Sequence, residues 1–266
     1  MKKIILIITI LFFISGCGGK NERRIMVGLV NFISGTVYII SADGKETAAV
    51  QGLPVDRGMK IRTKGNKSLC EIYIDENVIK IFGDTEISIN TLTRDKKTEV
   101  EKTYLSLKSG RCFFKIKNRL MKNQDFNVRT KNCTAAVRGT EFFVSDIGKS
   151  DSIACLDGKV QVKSEKQNST VEIGAGERVV ANGKSKPVKS EIESKYIDAL
   201  EKDAEVKPLT EENSQTFDKI GTGDKAALAV IRKKMKELRT PKEIKESEKV
   251  EDDEGDRVNL FNFRIK

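Results

Sequence analysis

The chain has 266 residues, of which 38% are hydrophobic and 33% are charged, and its formal net charge at pH 7 is +10. It contains no histidine, which excludes catalysis by an imidazole base and removes a common ligand of zinc and iron sites. Because no carboxylates or thiols are grouped at a catalytic spacing, we expect neither an enzyme nor a bound cofactor or metal. The positive charge could favour anionic lipid, nucleic acid or acidic polysaccharide as a partner, but the lysines are scattered along the chain, which favours a solvated basic surface over all three.

Residues 1–16 have the form of a bacterial secretion signal peptide. Lys2 and Lys3 precede the uncharged apolar run Ile4–Ile14, which is shorter than the ~20 residues of a membrane-spanning helix. The small residues that follow, together with Cys17, resemble the lipobox of bacterial lipoproteins. This resemblance implies that the cysteine is acylated on sulfur and becomes the first residue of the mature protein. The alternative is an ordinary signal peptide with a chance cysteine.

The mature chain is therefore expected to be held on a membrane by lipid. Acyl chains on Cys17, at about 0.8 kcal/mol per buried CH₂, would keep it there almost permanently. Residues 17–25 would form a short tether in the cell envelope. In a cell with two membranes the outer membrane is favoured, because residue 18 is Gly and not the Asp that would resemble an inner-membrane retention signal.

Residues 26–182 are predicted to form an all-β domain. Short runs rich in Val, Ile, Phe and Tyr alternate with Gly, Asn and Asp, and no helical stretch separates them. Asp75–Asn77 predicts a hairpin turn, and Asp157–Gly158 predicts another turn. This texture indicates a sandwich, a roll or a short solenoid. The clearest strands are Thr36–Ile40, Cys70–Ile74, Val78–Phe82, Glu86–Ile89, Glu141–Val144, Lys159–Val162 and Arg178–Ala181.

Four cysteines follow the lipobox, and an even number outside the cytoplasm would suit disulfide bonds. Each of them, however, can occupy an apolar position: Cys70, Cys112, Cys133 and Cys155. No pairing follows from the sequence, and we expect buried free thiols. The strands that end at Val144 and begin near Ile153 should form a hairpin that places Cys155 opposite position 142 and away from Cys133.

Residues 183–239 are predicted to be helical, and residues 240–266 to be a charged, disordered tail. Ser190–Glu193 has the form of a capping box for a first helix. Thr210 predicts the start of a second helix, and Asp224 the start of a third, basic helix. The apolar stripe of the third helix is expected to pack on the β domain or on another copy rather than on a bilayer. Its members are Leu228, Ile231, Met235 and Leu238.

Residues 25–185 are expected to fold alone, without the helices, because their strands are expected to close one core by themselves. In this interpretation the helices are an appendage.

Several motifs in the β region resemble the periplasmic FecR domain, a family named after the ferric-citrate regulator. Gly110–Lys115 is similar to the family's Gly-Arg-Val-Phe-Phe-Lys, and Ala136–Val144 carries its most specific stretch, Ala-Val-Arg-Gly-Thr-x-Phe-x-Val. The resemblance runs over about residues 28–181 and implies a FecR-like all-β fold. The other matching motifs, in family order, are Gly35–Val37, Val55–Gly58, Ile61–Thr63, Leu156–Val160 and Gly174–Arg178.

The chain also departs from this family. Met59 stands where the family usually has Asp, and Lys131 replaces the usual Pro. Family regulators carry a cytoplasmic anti-sigma segment before a membrane-spanning helix, whereas only 16 residues precede Cys17. Direct control of a cytoplasmic sigma factor is therefore not expected.

Within the specific stretch, Arg138, Gly139 and Thr140 are the candidate ligand-binding residues. The planar guanidinium of Arg138 could meet a carboxylate or phosphate, or it could cap carbonyls at a strand corner. Gly139 is expected to supply a backbone conformation that a side chain would forbid. This segment and the turn at Asp157–Gly158 are expected to lie at one end of the β domain.

The sequence thus predicts a lipid-anchored envelope protein with a non-enzymatic binding or sensing module. Its partner would be an envelope protein, a glycan or a small ligand, and not a nucleic acid. The alternative is a structural lipoprotein that assembles through its C-terminal helices.

Overall fold

The computed structural model describes residues 23–24, 26–95, 100–117, 124–164, 166–222 and 224–237. The predicted signal peptide, Cys17 and the predicted tail at 240–266 lie outside the described residues. The described chain is mainly β, with a small helical region after the strands, as the sequence predicts.

The elements are numbered here in chain order. The strands are β1 (Arg23–Arg24), β2 (Gly28–Ile40), β3 (Glu46–Ala48), β4 (Pro54–Val55), β5 (Lys60–Ile74), β6 (Asn77–Ile81), β7 (Glu86–Asp95), β8 (Glu101–Lys115), β9 (Gln124–Arg129), β10 (Thr134–Val137), β11 (Glu141–Ile147), β12 (Ser150–Asp157), β13 (Lys159–Ser164), β14 (Ser169–Gly174), β15 (Glu177–Ala181) and β16 (Val188–Glu191). The helices are α1 (Ser194–Ala204), α2 (Glu211–Gly221) and α3 (Lys225–Glu237).

The strands form two layers that share the long strands β2, β5 and β8. One layer, called the open layer below, contains the second half of β2, the first halves of β5 and β8, and strands β7, β9, β10, β13 and β14. The other, the covered layer, contains the remaining halves with β6, β11, β12, β15 and β16. The β8–β9 pair is parallel, whereas the other pairs described here are antiparallel.

The main core lies between the two layers. Successive side chains of a strand point to opposite faces, so alternate residues of each layer face inward. These inward residues form one continuous apolar cluster. Its members include Ile61, Ile87, Leu105, Val128 and Val162 from the open layer and Ile72, Ile79, Phe114, Phe142 and Ile153 from the covered layer, each at most 1% exposed.

Strand β8 bends from one layer to the other at Gly110, which explains the glycine at the start of the Gly110–Lys115 motif. Its φ is +94°, a conformation that disfavours any residue with a Cβ. A Cβ at this position would also lie 2.6 Å from Cα of Thr85. Thr85 is 1% exposed, and its hydroxyl oxygen accepts a hydrogen bond from the Arg111 amide at 3.0 Å. The motif is therefore a corner of the fold.

The predicted turns and hairpins are confirmed. Strands β5 and β6 are joined by a two-residue turn in which Asp75 has a φ of +55°. Strands β11 and β12 form the expected hairpin, with Cys155 directly opposite Phe142. A turn also occurs at Gly158, although the strands on either side of it enter different layers instead of pairing.

A second apolar cluster lies on the outer face of the covered layer, beneath the helical region. Phe113 and Phe143 point away from the main core, and their ring centroids are 4.9 Å apart. Both are 0% exposed because residues such as Ile192 and Leu200 of the helical region pack over them. The strands close the main core by themselves, but this second cluster is covered only when the helical region is present; that residues 25–185 fold alone stays a prediction. An apolar outer face needs the helices to remove it from water.

Asn31 joins the linker between α1 and α2 to this outer face. Its amide Nδ2 donates to the carbonyl of Pro208 at 3.0 Å, and its Oδ1 accepts from the Thr210 amide at 3.1 Å. Asn213, which like Asn31 is 1% exposed, donates to Oδ1 of Asn31 and to the carbonyl of Val30, each at 3.2 Å. The β2–β5 register shifts between Val30 and Phe32, so Asn31 is the extra residue of a β-bulge that re-aims a side chain.

Three further polar side chains of the covered layer bind the same linker. Glu71, 1% exposed, accepts a hydrogen bond from the Lys207 amide at 2.8 Å. The Tyr73 hydroxyl donates to the carbonyl of Lys207 at 2.7 Å, and the Lys80 ammonium donates to the carbonyl of Glu205. Burial raises the pKa of Glu71 and lowers that of Lys80, while each residue's charge opposes the shift of the other. The linker is thus bound through its backbone at several points.

The capping box predicted at Ser190–Glu193 is wrong. Ser190 belongs to β16, which pairs with β15, and its hydroxyl accepts from Nε of Arg178 at 3.1 Å. Helix α1 begins at Ser194, and the N-cap residue Glu193 makes no capping hydrogen bond through its side chain. Pairing with a neighbouring strand outweighed the local capping signal, which carries no information about tertiary partners.

The other helix starts are confirmed. The Thr210 hydroxyl oxygen accepts from the Asn213 amide at 3.4 Å, and Asp224 accepts from the Ala226 amide at 2.7 Å. In α3, Ile231 is 5% exposed, and the helix lies beside β4. The side chains of Met235 and Leu238 lie outside the described residues. None of the helices described here combines the length and apolarity needed to cross a membrane.

Candidate functional site

The predicted site segment forms the corner where the chain leaves β10 and enters β11. Thr140 is 1% exposed, and its hydroxyl donates to the carbonyl of Lys159 at 3.0 Å. Its backbone exchanges two hydrogen bonds with Ile116, at 2.9 and 3.0 Å. These contacts satisfy the residue within the protein. Thr140 is therefore placed as a structural residue of the corner.

Gly139 and Gly158 allow two corners to pack against each other. Gly139 has a φ of +60° and Gly158 a φ of +82°. A Cβ at Gly158 would lie 2.6 Å from the carbonyl oxygen of Gly139, which is too close for two non-bonded atoms. The expectation that the two turns lie at one end of the domain is confirmed. Glycine is needed here for both conformation and space.

Arg138 is the exposed member of the candidate site. It lies at the same corner, directly after β10, whereas Gly139 and Thr140 have the structural roles described above. Of the three predicted site residues, only Arg138 presents a side chain that a ligand could reach. Its assignment to ligand binding stays a prediction.

A second polar cluster lies at the opposite end of the β11 and β12 strands. Asp146 and Asp151 face each other across the hairpin and are 6% and 1% exposed. Asp151 accepts hydrogen bonds from the Thr130 hydroxyl at 2.6 Å and from the Asn132 amide at 2.8 Å, and so closes the β9–β10 turn. Burial, and then repulsion by Asp151, raises the pKa of Asp146 to about 6. This cluster is structural and was not apparent in the sequence.

The four cysteines that follow Cys17 in the sequence are free and buried, as expected. Burial raises the pKa of Cys70 to about 12 and that of Cys155 to about 11. Thiols with such pKa values are almost fully protonated at neutral pH and are poor nucleophiles and metal ligands. Among the residues that the structure describes, no group of three or more Cys, Asp or Glu side chains could hold a metal ion.

The outer face of the open layer carries a straight row of polar side chains that sequence reasoning missed. We call it the cationic row; neighbours along it are directly opposite each other on adjacent strands. The two residues that flank each member on its own strand face the other way and are mostly buried, whereas the members themselves are exposed or half-buried. The row consists of Lys60, Ser88, Ser106, Arg129, Thr134 and Lys163.

Alternation in each strand could have shown that these residues point outward. Their alignment depends on the register between β5, β7, β8, β9, β10 and β13, which the sequence does not reveal. A second row runs parallel to the first, two residues along each strand, and contains Tyr104, Asn127, Ala136 and Gln161.

Comparison with known protein families gives one match. Residues 59–161 match the family model described as FecR protein. The matched segment is less than half of the chain, and it runs from the beginning of β5 into β13. The curated proteins contain no match to this chain.

Among solved structures, the chain resembles two crystal structures of a proposed anti-sigma factor from Parabacteroides distasonis ATCC 8503. Each match has a TM-score of 0.43 and 16% sequence identity. Each covers 53% of this chain and 63% of that protein's chain. A structural similarity of this extent does not indicate a function for this chain.

Proposed function

We propose that this protein is an envelope lipoprotein whose FecR-like domain is a non-enzymatic binding or sensing module. The observation that carries the proposal is the FecR match over residues 59–161, since this segment builds most of the two-layer body. The family is one of regulatory proteins, which favours recognition over catalysis. In this proposal Cys17 carries the lipid, and the module faces the periplasm or the cell surface.

The lipid attachment is supported by the N-terminal sequence. A positive segment, an apolar run of sub-membrane length and a cysteine after small residues occur there in the order that lipoprotein processing requires. A segment of this kind delivers the chain out of the cytoplasm, and acyl chains retain it at a membrane.

The geometry supports binding over the scaffold alternative. A scaffold that assembles through its helices needs apolar helix surface for another copy. Leu200 of α1 and Ile231 of α3 are already 3% and 5% exposed within one chain. The helices therefore cover the covered layer, whereas the outer face of the open layer has none of the described helices packed on it.

Fatty-acid labelling in cells tests the lipid attachment. Labelled palmitate should enter the wild-type protein and not the Cys17→Ala variant, which should leave the membrane fraction. Cys155→Ala also removes one cysteine and is the matched control; it should keep the label. Label of equal intensity in Cys17→Ala would contradict the proposal.

Sedimentation in detergent separates the two function classes. A binding module should sediment as a monomer, whereas a scaffold should self-associate through residues 190–239. A stable oligomer that dissociates when Val230 (54% exposed) is changed to Glu would favour the scaffold.

A further inference from the structure

We propose that the module binds a protein segment on the outer face of the covered layer, and that α1 and the linker occupy this face until such a segment displaces them. We call α1 and the linker (residues 205–210) together the cover. The partner segment is an amphipathic helix that continues into an extended stretch, as the cover does. The inference rests on the proposed function, because it names the binding surface and the partner class of the same module.

The linker is bound to the sheet in the way that an extended peptide ligand is bound. Glu205 and Thr210, its first and last residues, have extended backbones, with φ and ψ of −57° and 128° and of −68° and 150°. The side chains of Glu205, Lys207 and Pro208 are exposed, whereas their backbone carbonyls accept hydrogen bonds from the sheet. The sheet residues that bind the linker backbone are Asn31, Glu71, Tyr73 and Lys80. Such contacts recognise an extended backbone and not its sequence.

The rest of the face has the residue types that dominate protein interfaces. The ring centroids of Phe82 and Phe143 are 6.1 Å apart, and the Arg111 guanidinium lies 3.9 Å from the Phe82 centroid. Helix α1 meets both kinds of group, since Leu200 packs in this cluster and Asp203 pairs with Arg111 at 2.8 Å. Aromatic and arginine side chains carry much of the binding energy of protein interfaces. The face therefore suits a helix with an apolar side and an acidic group near its end.

Release of the cover leaves the main core closed. None of the described residues after Ala181 belongs to the main apolar cluster. Among their described residues, α1 and α2 each bury one side chain, those of Leu200 and Asn213. Segments with few buried contacts open locally at a lower free energy than the core. The cover can therefore leave the face while the two layers stay folded.

The cover also leaves one buried hydroxyl unsatisfied. Ser152 lies on the same face of β12 as Ala154, a member of the second apolar cluster, and α1 lies beside this strand. Ser152 is 9% exposed, and its Oγ has no hydrogen-bond partner among the residues that the structure describes. Native folds satisfy most buried polar groups. A partner segment with a polar group at this point gains a hydrogen bond that the cover does not make.

The outer face of the open layer fits a protein segment less well. Its charged side chains pair with one another: Arg62 binds Glu46 at 2.8 Å and Glu86 at 2.7 Å, and Lys159 binds Glu172 at 3.0 Å. A ligand there has to compete with these ion pairs. On the covered layer, by contrast, the ligand replaces a segment that makes the same kinds of contact.

Binding of a peptide to the full-length protein tests the inference. The probe is a fluorescent synthetic peptide of residues 192–213, which stands in for the partner segment. The wild type should bind it weakly, because the apparent affinity falls with the fraction of molecules whose face is open. Leu200→Ala weakens the cover and leaves the face unchanged, so this variant should bind the peptide at least about tenfold more tightly.

The matched control is Val230→Ala, which shortens an apolar side chain of α3 that is 54% exposed; it should bind the peptide as the wild type does. Equal affinity of Leu200→Ala and the wild type would overturn the inference. So would a Leu200→Ala dimer that the peptide does not dissociate, because a second copy would then be the occupant of the face.

A variant peptide tests whether the face recognises the backbone. The peptide with Glu205→Ala and Lys207→Ala should bind Leu200→Ala within about threefold of the original peptide, because exposed side chains contribute little to binding. A larger loss would overturn the inference, since the face would then be specific for the chain's own linker.

Hydrogen exchange in the unmodified protein keeps the inference testable if Leu200→Ala fails to fold. The protection factors of the Leu200 and Lys207 amides should be at least about tenfold lower than those of the paired amides of β8 and β11. Equal protection would overturn the inference, because the cover would then open only when the whole protein unfolds. None of these measurements involves the lipid, so failure here would leave the lipid attachment standing.

Discussion

Replacing Asn31 by Ala should loosen the linker between α1 and α2 and destabilise the whole protein. The side chain is 1% exposed and takes part in three hydrogen bonds with the linker and α2, at 3.0, 3.1 and 3.2 Å. Alanine would leave the Pro208 carbonyl and the Thr210 amide without this partner, whereas Asn213 would keep its bond to Val30.

The magnitude follows from these groups. A lost hydrogen bond costs about 0.5–1.5 kcal/mol, and a buried group left unsatisfied costs about 1–3 kcal/mol. Because the Pro208 carbonyl and the Thr210 amide can partly form hydrogen bonds with water instead, we expect the free energy of unfolding to fall by about 2–4 kcal/mol in total. For a chain of this size, that corresponds to a Tm lowered by about 5–15 °C.

Thermal unfolding and limited proteolysis measure the two effects. Cleavage after Glu205 by a glutamate-specific protease should be faster in Asn31→Ala than in the wild type. Asn90→Ala is the control, since Asn90 is an exposed asparagine of β7. If Asn31→Ala and Asn90→Ala melt at the same temperature and are cleaved equally fast, the argument that buried polar contacts hold the linker is refuted.

Three further changes test other parts of the structure. Burial raises the pKa of Asp146 from 3.8 to about 6, so the folded protein loses stability as pH rises from about 4 to about 6. The Asp146→Asn variant should not show this loss, and its free energy of unfolding at pH 7 should be about 1–3 kcal/mol higher than that of the wild type. An unchanged pH profile in denaturant titrations of Asp146→Asn would contradict this. Gly158→Ala should lower Tm by several degrees, because its Cβ meets the Gly139 carbonyl; a Tm equal to that of the wild type would show that the two corners can separate freely. The thiols of Cys70 and Cys155 should react with a thiol reagent only at the rate of unfolding, and rapid reaction in native buffer would show that they are accessible.

The strands were predictable because their composition and bounding turns are local signals. Thr36–Ile40, Cys70–Ile74 and Glu141–Val144 are short runs rich in Val, Ile, Phe and Tyr, and all three lie within strands of the structure. The start of α2 at Thr210 was predictable for the same reason, since capping involves residues three positions apart.

The two-layer arrangement could not be predicted from these patterns. Only the second half of β5, Cys70–Ile74, was predicted as a strand; in the structure β5 is continuous, its first half pairs with β7 and its second half with β6. The sequence also did not reveal that Phe113 and Phe143 face the helices while Phe114 and Phe142 face the main core, because alternation alone does not say which faces are covered. The available signal was that consecutive residues of these strands, such as Phe142 and Phe143, are both apolar, which indicates that the covered layer is buried on both of its faces.

The position of the candidate site was predicted, since Gly139 and Thr140 lie at a corner beside Gly158, and so was the backbone role of Gly139, whose φ is +60°. The contacts that hold Thr140 within the fold were not predicted. The cationic row lay beyond sequence reasoning, because it brings together residues as distant along the chain as Lys60 and Lys163.

Mass spectrometry of the N-terminal peptide of the protein isolated from cell membranes tests the central claim most directly. We expect the mature chain to begin at Cys17 and this residue to carry the mass of fatty acyl chains, with the FecR-like domain following directly after the tether. A mature chain that retains residues 1–16, or that begins at an unmodified Cys17, would contradict the account of a lipid-anchored envelope module.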